Sequence, residues 1–196
     1  MILVLVLFLA YLLGSVSPSY LLGKYLHGID LRKQGSGNVG ATNAFRVLGK
    51  GAGITVLFLD ILKGWIAVSL FPKWWGAPYS LFQEPLLYPI LIGASVIAGH
   101  NWSIFLRFRG GKGVATSFGV FLALDPVICL LAFFIWGIIQ QWTHKVSLGS
   151  LASALSLPIS VLLLHRPYSL FFFSLILAIS TFYTHRSNIR EIFFSK

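Results

Sequence analysis

The chain has 196 residues, 57% of them hydrophobic and 10% charged, with a mean hydropathy of +0.83. This is far more apolar than a soluble globular domain of that length, so the sequence reads as an integral membrane protein. Fifteen Lys and Arg against five Asp and Glu give a formal net charge of +10. That excess suits anionic substrates, anionic headgroups or the positive-inside bias alike. The single cysteine, Cys129, lies in an apolar run and excludes a disulfide framework or a cysteine-based metal site.

A helix needs about 20 mostly apolar residues to cross the hydrocarbon core. The first predicted span is 2–23. No basic segment precedes it and positive charges follow, which predicts a retained span and not a cleaved signal. A polar stretch to Lys50 leads to a second span at 52–71, ended by Pro72, and then to a connection rich in interfacial aromatics, Trp74, Trp75 and Tyr79. The third span, 86–106, runs into the basic, glycine-rich stretch Arg107–Thr116. Two short apolar segments follow at 114–124 and 127–142, parted by Asp125-Pro126, which reads as an N-cap with proline at the first helical position. Their shortness predicts a thin, tilted or re-entrant pair. The last two spans are 148–164 and 168–184, joined by a tight turn at His165-Arg166-Pro167. The expected fold is an all-α polytopic transmembrane bundle of about seven spans in one domain, 1–196.

Counting basic residues orients it. One side carries Lys24, Arg32, Lys33, Arg46, Lys50, Arg107, Arg109, Lys112, Lys145, Arg186, Arg190 and Lys196, and the other Lys73 and Arg166. The positive-inside rule makes the first side cytoplasmic, with the N-terminus outside and the C-terminus inside.

Every polar, glycine-punctuated stretch then falls on the cytoplasmic side. Gly35-Ser36-Gly37-Asn38-Val39-Gly40-Ala41-Thr42-Asn43-Ala44-Phe45-Arg46 offers hydroxyls, amides, freed backbone donors and a guanidinium, a set suited to an oxyanion, or else an ordinary loop with a helix cap. In the second, Gly110, Gly111 and Gly113 surround Lys112 ahead of a helix start, with Thr116 one turn in, forming a phosphate cradle or a basic loop among headgroups. It does not meet the nucleotide pattern G-x-x-x-x-G-K-[ST]. Ser147 and Gly149 open the sixth span, where serines are usually caps. His185 and Asn188 share a face if helical. Asp60 and Lys63, at i and i+3 within the second span, are expected to pair as a structural or supporting element away from the loops. His100 and Asn101 read as caps of the third span.

Acids on the cytoplasmic side are Asp30 and Glu191. These are too few for a carboxylate-held Mg²⁺ site, and no histidine is followed five residues later by aspartate, which points to a metal-free reaction on phosphorylated substrates.

Taken together, Tyr11-Leu12-Leu13-Gly14-Ser15, GSGNVGATNAFRVLG from Gly35, GHNWSIFLRFRGGKGVATSFG from Gly99, VSLGSL from Val146 and HRSNIR from His185 resemble the bacterial membrane glycerol-3-phosphate acyltransferases that use acyl phosphate. The tail departs from that family, ending Glu191-Ile192-Phe193-Phe194-Ser195-Lys196 where a Gly-x-Glu element is usual. The resemblance implies acyl transfer from acyl phosphate to the primary hydroxyl of glycerol 3-phosphate, giving lysophosphatidate and phosphate at the first step of phospholipid synthesis. It implies Ser36, Arg46, Lys112, His185 and Asn188 as catalytic. Gly35, Asn38, Gly40, Thr42, Asn43, Gly110, Gly111, Gly113, Thr116, Ser147 and Gly149 are implied as substrate-binding, with the glycines of the second loop as backbone donors. The implied partners are the two substrates and membrane lipid, with no cofactor, metal, nucleic acid or protein partner. The implied setting is the bacterial inner membrane, multi-pass, with the site facing the cytoplasm. The rival reading is a transporter or flippase for a phosphorylated solute or lipid, which predicts internal symmetry and access from both faces.

Overall fold

A computed structural model describes residues 1–75 and 84–194. The described residues are helical, with no strand among them, as the apolar runs predict. The chain divides into two compact units, Met1–Ala123 and Leu124–Lys196.

The first unit contains α1 (Ile2–Ser15), α2 (Pro18–Leu26), α3 (Ala41–Leu48), α4 (Lys50–Trp75), α5 (Leu87–Asn101) and α6 (Val114–Leu124), with 3-10 turns at Leu31–Lys33 and Ile104–Leu106. α1 packs along α5 so closely that a Cβ on Gly99 would strike the Tyr11 carbonyl, and one on Gly119 of α6 would strike Ile61 of α4. Between membrane helices such contact of bare backbone replaces the hydrophobic drive that lipid removes.

The first predicted span is not continuous. α1 and α2 meet at a bend of 43°, because Pro18 has no N–H to offer the Gly14 carbonyl and the Ser17 side chain caps Tyr20 N–H at 3.4 Å. The opposite correction holds at Pro72, where α4 continues to Trp75. There proline lies in the last turn and removes one bond, while the Phe71 and Trp75 rings pack with centroids 5.0 Å apart. The residues expected to connect the second and third spans from Gly76 to Tyr79 lie outside the described residues. The third span ends as α-helix at Asn101 and tightens into the turn at Ile104–Leu106.

The second unit contains α7 (Pro126–Thr143), α8 (Val146–Leu163), α9 (Tyr168–Thr184) and α10 (Arg186–Phe194). α8 packs against both α7 and α9, and the short links make consecutive helices antiparallel. Asp125 caps α7 as predicted, its Oδ1 accepting from Val127 N–H at 3.1 Å and Ile128 N–H at 3.2 Å. Its other oxygen pairs with Arg166 Nε at 2.7 Å. The start of α7 and the α8–α9 turn therefore share one end, and Thr143–Ser147 and His185 share the other.

All seven predicted apolar segments are present as helices or bent pairs. Among the described residues, four stretches are long and apolar enough to cross a membrane, and the bent pairs α1–α2 and α9–α10 raise this to six. α6, with 11 residues, rises about 17 Å and is short as expected. α7 is not: its 18 residues rise about 27 Å, since the helix extends beyond the predicted segment at both ends.

Candidate active site

The first polar loop is held by one side chain. Asn43, in α3, is buried, and its Oδ1 accepts from Ser36 N–H at 3.0 Å while Nδ2 donates to the carbonyls of Gln34 at 3.0 Å and Leu31 at 3.4 Å. Its amide is thus engaged by the loop itself, which makes it a positioning residue where substrate contact was expected. Gly35 has φ +58°, and a Cβ there would collide with Asn43 Oδ1, so only glycine fits this turn. Ser36, Thr42 and Arg46 are exposed and Asn38 is half-buried. Gly40 is the N-cap of α3, which leaves that helix start open beside them. Nearby, the Arg32 guanidinium bonds Asp30, with Nη2–Oδ2 at 2.7 Å, and holds its carboxyl down at about 2. This acid is neutralised by its neighbour and leaves the loop electropositive.

The second loop is laid over the end of α5. Gly110 N–H donates to the Asn101 carbonyl at 3.1 Å and Gly111 N–H to the His100 carbonyl at 3.0 Å. These two amides, expected as donors to a phosphate, are already satisfied within the protein. The glycines serve close approach instead, since a Cβ on Gly111 would enter the His100 ring. Lys112 is half-buried beside Gly113, whose φ is +82°, and α6 starts just after it, an end whose first N–H groups have no partner within the helix. Thr116 is fully buried, with its carbonyl against Gly64 at the α4–α6 contact.

Against the second loop lies a cluster only half visible in the sequence. Asp60 and Lys63 do pair, at 2.8 Å, but not at a distance from the loops. Lys63 Nζ also lies 2.9 Å from His100 Nδ1 and donates to the Gly14 and Val16 carbonyls, both at 2.9 Å. His100 Nδ1 is 3.3 Å from Asp60 Oδ1. The i, i+3 spacing revealed the pair, whereas the third member, 37 residues away, needed the fold.

In the second unit, His185 is buried, and its Nδ1 lies 2.8 Å from the Thr181 carbonyl. Its own carbonyl accepts from Ile189 N–H at 2.9 Å, so His185 and the half-buried Asn188 belong to one helical turn, as the spacing predicts. Ser147 is half-buried in the first turn of α8. Gly149 is closely packed: a Cβ on it would lie 2.9 Å from the Trp136 carbonyl.

The geometry thus leaves Ser36, Asn38, Thr42, Arg46, Lys112, Ser147, His185 and Asn188 as groups with chemistry to offer. Asn43 and the Gly110 and Gly111 amides are engaged within the protein, and Thr116 and Gly149 are buried where helices pack.

Comparison with known proteins covers nearly the whole chain. Residues 4–195 match the family described as glycerol-3-phosphate acyltransferase. A glycerol-3-phosphate acyltransferase 2 of Moorella thermoacetica is 43% identical over 96% of this chain and 92% of its own. One from Staphylococcus haemolyticus is 43% identical over 98% and 95%. Among solved structures, an integral membrane glycerol 3-phosphate acyltransferase in its glycerol 3-phosphate form superposes with a TM-score of 0.87, at 36% identity, over 97% of this chain and 91% of that one. The lysophosphatidic acid form of that enzyme gives 0.83 at 34% identity, with the same coverage. With a match of this extent, two polar loops built as described and helices suited to a bilayer, the chain belongs to the glycerol-3-phosphate acyltransferase family.

Proposed function

We propose that this membrane enzyme transfers a fatty acyl group from acyl phosphate to the primary hydroxyl of glycerol 3-phosphate, releasing lysophosphatidate and inorganic phosphate on the cytoplasmic face of a bacterial inner membrane. The similar solved enzyme, captured with glycerol 3-phosphate and with lysophosphatidic acid, supports the acceptor and the product. Two basic, glycine-rich loops suit two phosphates. The basic residues gathered on one side support the orientation, with the N-terminus outside.

The observation that carries the chemistry is the setting of His185. A carbonyl only accepts, so the contact with Thr181 puts the proton on Nδ1 and makes Nε2 the ring position suited to act as a base. In the proposed reaction His185 Nε2 takes the hydroxyl proton as the oxygen attacks the acyl carbon. Asn188 orients the acceptor, and Lys112 and Arg46 neutralise phosphate charge. Ser36 and open helix N-termini stabilise the tetrahedral oxyanion before the C–O bond to phosphate breaks. Acyl phosphate is already activated, so the protein's main work is orientation and charge neutralisation. Asp30 is engaged by Arg32, which supports a reaction without a carboxylate-held metal.

Purified protein given acyl phosphate and labelled glycerol 3-phosphate is expected to form lysophosphatidate with or without EDTA, and none from acyl-CoA. Dependence on acyl-CoA overturns the donor, and loss of activity in EDTA overturns the metal-free mechanism. His185→Ala is expected to lower kcat by about 10²–10⁴-fold, the range of a general base. Activity within about tenfold of wild type assigns the proton to a donor phosphate oxygen instead.

A further inference from the structure

Asp60, Lys63 and His100 take no part in the proposed transfer, yet they lie where both loops of the first unit are anchored. The break between α1 and α2 exposes three successive carbonyls that lack helical donors. Lys63 Nζ supplies Gly14 and Val16, both at 2.9 Å, and Ser103 Oγ supplies Ser15 at 2.6 Å. α2, fixed in this way, presents Ser19, whose hydroxyl donates to the Val39 carbonyl at 2.5 Å. Val39 stands between Asn38 and Gly40 in the first loop. In the other direction Lys63 meets His100 Nδ1. Gly111 of the second loop bonds the His100 carbonyl and packs against the far nitrogen of its ring. An ammonium has three protons, and Lys63 has four acceptors in reach, counting Asp60 Oδ1 at 2.8 Å. Its donors are therefore all used internally, and it is buried.

We propose that Lys63, held by Asp60, is a positioning residue that sets the two anion-binding loops relative to one another, the second through His100 and the first through the α1–α2 break and Ser19. The inference rests on the acyl-transfer reading above, in which each loop serves one phosphorylated substrate. It has a kinetic signature that simple structural support lacks. Removing Lys63 disturbs both loops at once, so the KM values for acyl phosphate and glycerol 3-phosphate rise together, whereas loosening one arm raises one of them.

The test is Lys63→Met in purified protein whose folding is checked by thermal unfolding and size exclusion. Both KM values are expected to rise about tenfold or more, the scale of an ångström-sized misplacement. Asp60→Asn combined with Lys63→Met removes the lone buried charge. It is expected to recover thermal stability while both KM values stay raised. Unchanged KM values in the folded single variant, or their recovery in the double variant, overturn the proposal. Should Lys63→Met fail to fold, His100→Asn and Ser19→Ala decide: each is expected to raise the KM for a different substrate, and an effect on the same substrate, or on neither, overturns it. Wild-type protein that forms no lysophosphatidate defeats the acyl-transfer reading itself, which separates that failure from failure of the positioning role.

Discussion

Polar side chains do different work in the two units. In the first several reach across elements, beside Thr55 and Ser95, which bond back within their own helices: Tyr11 bonds the Trp102 carbonyl, Ser103 that of Ser15, Ser19 that of Val39, Lys63 those of Gly14 and Val16, and Asn43 those of Leu31 and Gln34. In the second, Ser150, Ser153, Ser156, Ser174, Thr181 and Thr184 bond back to carbonyls three or four residues earlier in their own helices. A hydroxyl bonded to its own helix is satisfied wherever that helix goes, so it fixes no neighbour. A side chain bonded to a distant carbonyl fixes two segments at once. The first unit thus holds irregular backbone in place with several side chains, and the second packs regular helices side by side, with the Asp125–Arg166 pair as one cross-element tie.

This contrast orders the expected effects of substitution. Gly111→Ala is the most severe, because the new methyl enters the His100 ring and either displaces the loop or breaks the Lys63–His100 contact. Activity is expected to fall about 10²-fold, with a loss of about 1–3 kcal/mol in stability from overpacking, read by steady-state kinetics and denaturation. An active, stable Gly111→Ala protein would remove the claim that the glycine loop is pinned to α5. Asp125→Ala comes next. It removes the α7 cap and the partner of Arg166, and is expected to cost about 1–2 kcal/mol with kcat per folded molecule unchanged, since only the second unit's scaffold is touched.

The legibility of the sequence follows the same division. The Asp125-Pro126 start of α7 and the bounds of α9 could be read directly, because caps, prolines and apolar runs act locally. Ser17-Pro18 carries the same local signal as Asp125-Pro126. It was hidden because it sits inside a run apolar enough to read as one span. Pro72 misled in the other direction: a proline in the last turn of a helix costs one bond and need not end it. The fourteen-to-sixteen carbonyls, the amide of Asn43 and the ring of His100 were not legible in their roles, since each is defined by a partner far along the chain. Composition marked both loops as candidate anion sites, but not that the Gly110 and Gly111 amides are satisfied by α5.

Ser153→Ala removes a hydroxyl bonded to the Ser150 carbonyl at 3.0 Å and is expected to change stability by less than about 0.5 kcal/mol. A loss several times larger would mean that α8 depends on cross-helix polar contacts after all. Asp30, with its pKa lowered to about 2 by Arg32, binds fewer protons in the folded chain than in the unfolded one at mildly acid pH. Its contribution to stability is complete above the ordinary aspartate value of 3.8 and is lost as pH falls towards about 2. Asp30→Asn is expected to flatten that part of the pH–stability curve slightly, as checked by thermal unfolding between these limits.

The most direct measurement of the central claim is the fate of the acceptor oxygen. Glycerol 3-phosphate labelled with ¹⁸O at its primary hydroxyl is incubated with acyl phosphate and purified protein, and the products are weighed by mass spectrometry. Acyl transfer predicts lysophosphatidate that keeps the label in its ester oxygen, together with an equal amount of unlabelled phosphate. Free fatty acid accompanied by a second phosphate on glycerol, or no lysophosphatidate at all, would contradict the account.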